Sequence, residues 1–313
     1  MNEILFSPPH LRWPRRAFFK RLIWMAANSC ALGGLYSWQF EKNWLRIERV
    51  DMPLPDLGEG FSGATIAHIS DIHCSPIVRE RYLRQCVEVI NALEVDFVTI
   101  TGDFITGPRP YARRVARILG ALTPKVAVLA CLGNHDYGVL HPNGMGGSRE
   151  LADRVVEELS AADIFVMMNE ARLFHRGEST LQFVGVEDFW TPRYNPYLAF
   201  DLAYSHLPTI ALCHNPDAAI ELAEHGADWV LAGHTHGTQI PERKISDLLM
   251  PTTNKHFSAG QYSLAPDQYL YVNRGLGYGR RRNLNSRPEI TLFTLREAPA
   301  SARRPVPDHA CVG

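Results

Sequence analysis

Short runs of apolar and β-branched residues recur along the chain, and most of them stop at a polar cluster. Thr65-Ile66-Ala67-His68-Ile69 stops before Asp71, Phe97-Val98-Thr99-Ile100 runs into Gly102-Asp103, and Val126 to Cys131 ends at Gly133-Asn134-His135-Asp136. Continuous apolar runs of this length predict strands buried on both faces. Between the first two, Glu80 to Leu93 carries Leu83, Val87 and Ile90 at helical spacing, which predicts a βαβ unit. A helix around Arg113 to Leu122 then leads to the third strand. The glycine-rich stretch Gly144-Met145-Gly146-Gly147-Ser148 interrupts the pattern as a lid or substrate loop before a helix from about Arg149 to Ser160, with Ser148 as its N-cap. Phe165 to Met168, Leu173-Phe174 and Leu181 to Gly185 read as short strands with less helix between them, which suggests a second sheet. Thr209 to Cys213 ends at His214, a short helix runs to about Glu224, and Trp229 to Ala232 ends at Gly233-His234. Tyr269 to Val272 and Ile290 to Leu295 read as closing strands.

The class is therefore α/β. No repeat of fixed period appears, and there is one set of polar clusters, so a single catalytic domain is expected over 57–296. It follows a proline-containing link, Met52 to Asp56, and precedes a tail at 298–313 whose Pro, Ala and Arg composition reads as disordered.

At 313 residues and 46% hydrophobic content the chain can bury a large core. A formal net charge of -1, from 32 basic and 33 acidic residues, leaves no overall basic field for gripping a polyanion, so nucleic acid is not an expected partner. Six cysteines show no CxxC pairing, and Cys131 and Cys213 sit in apolar runs, so most read as free core thiols that do not specify the compartment.

The first 50 residues read as an address or an anchor. Arg15-Arg16-Ala17-Phe18-Phe19-Lys20 precedes a stretch from Leu22 to Phe40 without a charged residue, and this resembles a twin-arginine export signal, with Pro14 where Ser or Thr is usual. The stretch is long enough to cross a bilayer, although Asn28, Gly33, Gly34 and Ser37 dilute it. Arg12, Arg15, Arg16, Lys20 and Arg21 lie before it, while Lys42, Arg46 and Arg49 after it are balanced by Glu41, Glu48 and Asp51. That bias places the amino terminus in the cytoplasm and the main domain on the non-cytoplasmic side, exported or membrane-associated. The alternatives are the cytoplasmic face of the inner membrane and, for the stretch itself, a buried core helix.

The polar clusters are Asp71-Ile72-His73, Gly102-Asp103, Gly133-Asn134-His135-Asp136, Cys213-His214-Asn215 and Gly233-His234-Thr235-His236. All follow strands, at the edge where open α/β sheets build their sites. Carboxylates beside imidazoles, without thiolates, suit Mn, Fe or Zn, and the ligands suffice for two ions. In a two-metal site one carboxylate bridges, the ions clamp the phosphoryl oxygens and a bound hydroxide attacks in line.

Taken in order, Asp-x-His, Gly-Asp, Gly-Asn-His-Asp, a lone His and Gly-His-x-His resemble the calcineurin-like metallophosphoesterase superfamily from Ala67 to Leu295. The resemblance implies two mixed β-sheets packed as a sandwich and flanked by helices. It implies that Asp71, His73 and His236 hold one metal and that Asn134, His214 and His234 hold the other, with Asp103 bridging. It implies that His135 stabilises the transition state or protonates the leaving oxygen, with Asp136 orienting it. Asn215-Pro216-Asp217, Gly237-Thr238-Gln239, Val272 to Gly277 and Arg287-Pro288-Glu289 extend the likeness to a bacterial branch of membrane-associated or twin-arginine-exported phosphoesterases that includes proteins resembling UDP-diacylglucosamine hydrolases of lipid A synthesis. Thr238 departs from that pattern.

The implied activity is hydrolysis of a phosphodiester or pyrophosphate bond, on a lipid-linked or nucleotide-sugar substrate at a membrane surface. Arg274, Tyr278 and Arg280, in a loop with Arg281 and Arg282, are candidate contacts for a distal phosphate, or for solvent or anionic lipid. The alternative is an exported, catalytically idle metal-binding module of the wall or membrane, against which His135 argues. Of the remaining histidines, His68, His141, His175, His206, His225 and His256 are expected to pack or to face solvent.

Overall fold

The computed structural model describes residues 15–39, 44–141, 147–237, 257–277 and 287–299. Two six-stranded mixed sheets carry the fold. The first is built from β1 (Arg46–Pro55), β2 (Thr65–Ile69), β3 (Phe97–Thr101), β4 (Ala127–Cys131), β5 (Ile164–Val166) and β12 (Glu289–Ala298), in the order β1-β12-β2-β3-β4-β5. The second is built from β6 (Glu170–Arg176), β7 (Ser179–Gly185), β8 (Thr209–Leu212), β9 (Trp229–Ala232), β10 (Gly260–Ala265) and β11 (Gln268–Val272), in the order β10-β11-β9-β8-β7-β6.

Alternation along each strand produces four layers. Ile66, Phe97 and Leu129 point from the first sheet onto Phe183, Ile210, Leu212, Trp229 and Leu231 of the second. Their neighbours Ala67, Ile69, Val98, Ile100, Val128 and Ala130 point the other way, onto α2 (Glu80–Asn91), α3 (Pro110–Leu119) and α4 (Arg149–Ser160). On the far side of the second sheet, Val184, Ala211, Val230 and Val272 pack with Ala199 of α5 (Pro196–Asp201) and Leu222 of α6 (Ala219–Glu224). Both faces of the central strands are thus covered, which is why their sequences read as unbroken apolar runs. Ser148 caps α4 through its hydroxyl, as expected.

Three expectations change. Met52-Pro53-Leu54-Pro55 is not a link but the end of β1, which pairs in parallel with β12 from Arg46 to Pro55, so the first sheet begins before Leu57. Prolines are tolerated there because β1 is an edge strand. The strand at Phe165 joins the first sheet beside β4 and not the second, because α4 carries the chain over that sheet as the crossover of a parallel pair. The stretch after Arg21 forms part of α1 (Arg15–Gln39), and the bilayer-spanning anchor is not supported: among the described residues no helix is long and apolar enough to cross a membrane. Asn28, whose side-chain amide donates to the Trp24 carbonyl, is one of the polar and glycine positions that dilute it. The loop at Gly144 to Gly146, Tyr278, Arg280 to Arg282 and the tail beyond Pro299 lie outside the described residues.

Candidate metal centre

Five loops at carboxyl ends of parallel strands meet where the two sheets adjoin. The first sheet supplies Asp71 and His73 after β2, Asp103 after β3, and Asn134 and His135 in a 3-10 turn after β4. The second supplies His214 after β8, and His234 and His236 after β9. His214 Nδ1 lies 2.7 Å from the carbonyl oxygen of Thr101, at the end of β3, and so ties one sheet to the other. A carbonyl only accepts, so Nδ1 carries a proton and Nε2 is the nitrogen turned to the site.

The functional atoms converge in three overlapping groups, Asp71 with His73 and His236, His73 with Asp103 and His135, and Asp103 with His214 and His234, each with its ligand-type atoms within 4.8 Å of one another. His73 Nε2 stands 2.9 Å from His236 Nε2 and 3.5 Å from Asp103 Oδ2. On the other side, His214 Nε2 stands 3.3 Å from the same Asp103 oxygen and 3.1 Å from His234 Nδ1. Asp103 therefore lies between the two histidine pairs. Its other oxygen accepts the His135 backbone N–H at 2.9 Å, which leaves the His135 ring edge-on to His73 with centroids 5.0 Å apart.

Backbone geometry reports how tightly this is held. Of ten described non-glycine residues with positive φ, five are Asp71, His73, Asp103, His234 and His236. Left-handed backbone is uncommon outside glycine, and it persists where surroundings over-determine it. Glycines make the close approach possible. A Cβ on Gly133 would lie 2.4 Å from Asp103 Oδ1 and 2.8 Å from His214 Cγ, and one on Gly233 would meet Ser70 Oγ at 1.9 Å.

The charges are arranged for a cation. Burial alone would raise the pKa of Asp103, but His214, His135 and His73 around it hold it well below the carboxylate range. Burial alone would lower His214, yet attraction to Asp103 and a hydrogen bond with it keep that imidazole well above its ordinary value. His234 is pushed down to about 3, first by burial and then by the neighbouring His214 charge. Metal and proton compete for the same imidazole lone pair, so a cation here displaces the His214 proton. Asp71 Oδ1, Asn134 Oδ1 and His234 Nε2 are buried without a hydrogen-bond partner. Hard oxygens and imidazole nitrogens left unpaired at such a convergence fit two divalent first-row cations.

Two of the expected site residues have structural partners of their own. Asp136 is fully buried, and its carboxylate accepts the backbone N–H groups of Gly133 and Ile105, at 2.9 and 3.2 Å, which fixes the turn that carries His135. Arg274 is engaged by the buried carboxylate of Glu289, the first residue of β12, which also accepts from the Tyr271 hydroxyl. Residues without a motif were missed. Thr106 Oγ1 lies 2.6 Å from His73 Nδ1, Trp190 stands edge-on to His234 with centroids 4.6 Å apart, and Glu187 accepts from the Tyr137 hydroxyl at 2.8 Å.

Comparison with known proteins agrees with this geometry. Residues 64–238 match the model of the calcineurin-like phosphoesterase family. The UDP-2,3-diacylglucosamine pyrophosphatase LpxG of Chlamydia trachomatis is 28% identical, over 87% of this chain and 92% of its own. The uncharacterized metallophosphoesterase YkuE of Bacillus subtilis is 30% identical over 90% of this chain and 97% of its own, and the phosphodiesterase YaeI of Escherichia coli 26% identical over 90% and 98%. The matched span contains every one of the eight converging Asp, Asn and His side chains, from Asp71 to His236. With a site chemically suited to paired cations at the seam of two mixed sheets, the chain belongs to the calcineurin-like phosphoesterase family and is a metal-dependent phosphoester hydrolase that uses two divalent metal ions.

Proposed function

We propose that Asp71, His73 and His236 hold one cation, that Asn134, His214 and His234 hold the other, and that Asp103 serves both. The observation that carries this assignment is the position of Asp103 Oδ2, 3.5 Å from His73 Nε2 on one side and 3.3 Å from His214 Nε2 on the other. Bound cations supply positive charge for phosphoryl oxygens and make water nucleophilic at neutral pH. The chain's own groups supply the rest. His135, held by its backbone N–H on Asp103, stands beside the same centre and gives its proton to the leaving oxygen. Asp136 fixes the turn that carries both Asn134 and His135.

The bond cleaved is a phosphodiester or pyrophosphate, in a lipid-linked or nucleotide-sugar substrate. Support comes from the pyrophosphatase and phosphodiesterase names of two relatives that match most of this chain. The segment ahead of β1 serves as a leader that brings the catalytic domain to a membrane surface, on the non-cytoplasmic side. Support for that comes from the basic residues Arg15, Arg16, Lys20 and Arg21 in α1 and the absence of any acidic residue from it.

Purified protein supplied with Mn is expected to hydrolyse a chromogenic phosphodiester, and Asp103→Asn to lower turnover by about 100-fold or more, the scale of removing one electrostatic group from a reacting centre. A wild-type rate in Asp103→Asn would overturn the assignment. A carboxyl-terminal reporter active only outside the cell is expected for the leader; activity only inside would overturn it.

A further inference from the structure

An imidazole that ligates through one ring nitrogen leaves the other to a partner, and that partner fixes the tilt of the ring and which nitrogen keeps the proton. For His214 the partner is backbone, the Thr101 carbonyl 2.7 Å from Nδ1. For His73 it is a side chain. Thr106 Oγ1 lies 2.6 Å from His73 Nδ1, while the opposite nitrogen, Nε2, faces His236 Nε2 at 2.9 Å and Asp103 Oδ2 at 3.5 Å.

The hydroxyl is held in register by pairing between the loops after β2 and β3. Asp71 N donates to Gly102 O at 3.1 Å, His73 N to Asp103 O and Cys74 N to Phe104 O at 2.8 Å each, and Thr106 N returns to Cys74 O at 3.2 Å. Cys74 and Ile105 thereby form a parallel bridge beyond the ends of their strands. Ile105 N donates in turn to Asp136 Oδ1 at 3.2 Å, which ties the same segment to the turn after β4. His73 is 3% exposed, so an Nδ1 proton that lost its acceptor would stand buried and unpaired. When Nε2 gives its lone pair to a cation, the one proton of a neutral ring is on Nδ1, and the Thr106 oxygen is placed to accept it.

We infer that Thr106 is a positioning residue of the first subsite, whose hydroxyl accepts from His73 Nδ1 and so aims Nε2 at the cation that Asp71 and His236 also hold. The inference rests on the two-subsite assignment above. Outer partners of metal ligands change metal affinity by about 10–100-fold when removed. The effect is confined to one cation, because His214 in the second subsite is oriented by a backbone carbonyl that no substitution at position 106 removes.

The test is a titration of metal-free full-length protein with Co, read as metal bound per chain and as the visible absorption of the bound ions. Wild type is expected to take up two ions, and His236→Ala identifies the absorption that belongs to the first subsite. Thr106→Val keeps the shape of the side chain and removes the hydroxyl; its first-subsite absorption is expected to require about 10-fold more Co, while the other saturates as in wild type. Thr106→Ser keeps the hydroxyl and loses the methyl group, and is expected to titrate as wild type does. A residue that merely filled space would give the reverse order, with valine harmless and serine weaker, and that order would overturn the inference. Equal weakening of both ions in Thr106→Val, or of neither, would overturn it as well. Uptake of fewer than two ions by wild type would instead remove the two-subsite reading, and the inference with it. If Thr106→Val does not fold, Thr106→Ala takes its place with the same outcomes.

Discussion

A methyl group on Gly233 would sit 1.9 Å from Ser70 Oγ and 2.3 Å from Asp71 Oδ2, inside the loop that carries His234. Gly233→Ala is therefore expected to cost about 3 kcal/mol, the upper range for overpacking a well-packed interior, and to lower metal uptake together with the melting temperature. His135→Ala is expected to behave in the opposite way: kcat falls by about 10²–10⁴-fold, the range for losing a positioned proton donor, while bound metal measured by elemental analysis stays at the wild-type level. These two substitutions also mark what could be read from residue types. Asp, Asn and His at strand ends declare their chemistry because nothing in a core asks for them. Gly133 and Gly233 look the same as glycines in any turn until their neighbours are known. Asp188 and Trp190 stand in Val186-Glu187-Asp188-Phe189-Trp190 with no motif spacing, and only the fold brings their loop to His234.

His68 joins elements. It lies on the inward face of β2, with Nδ1 3.1 Å from Thr99 Oγ1 on β3 and Nε2 3.4 Å from the Ala232 carbonyl on β9. Burial lowers its pKa from 6.5 to about 4. A base depressed on folding contributes stability that is present above its unfolded pKa and lost as pH falls through the folded one, so the loss runs from pH 6.5 towards 4. It amounts to about 3 kcal/mol. Asp136 has the opposite sign: burial raises it from 3.8 to about 8, so in metal-free protein its contribution is present below 3.8 and is lost as pH rises towards 8. Denaturant unfolding at pH 7 and pH 4.5 is expected to show a smaller loss on acidification in His68→Asn than in wild type. At this level β2, β3, β4, β8 and β9 could be read from the chain because helices and the opposite sheet cover both their faces. The buried positions of β1 are interrupted by Pro53 and end on Pro55, and the sheet that β5 joins depends on where α4 crosses, which no pattern within Ile164–Val166 records.

For the whole molecule, metal and fold are linked. Cations that bind only the folded chain add stability of about 2.7 kcal/mol at a free concentration of 100 times Kd. Mn is thus expected to raise the melting temperature by roughly 5–10 °C for a domain of this size, and a chelator to reverse the gain. An unchanged melting temperature across that range would mean that the clustered histidines and carboxylates do not bind the ion added. The site unites loops from both sheets, so its affinity reports the packing of the whole sandwich, and a substitution such as Phe183→Ala in the layer between the sheets is expected to weaken metal binding without touching a ligand.

One strand carries a different consequence. β12, the last element among the described residues, lies between β1 and β2, and Arg287 clasps the entrance to β1 through the Trp44 carbonyl and ring. During synthesis β1 therefore has no neighbour in its sheet until residue 298 has left the ribosome, and the nascent first sheet waits with an open edge at β2. Order of translation and order in space run against each other here, and a chain released at residue 288 is expected to aggregate instead of folding.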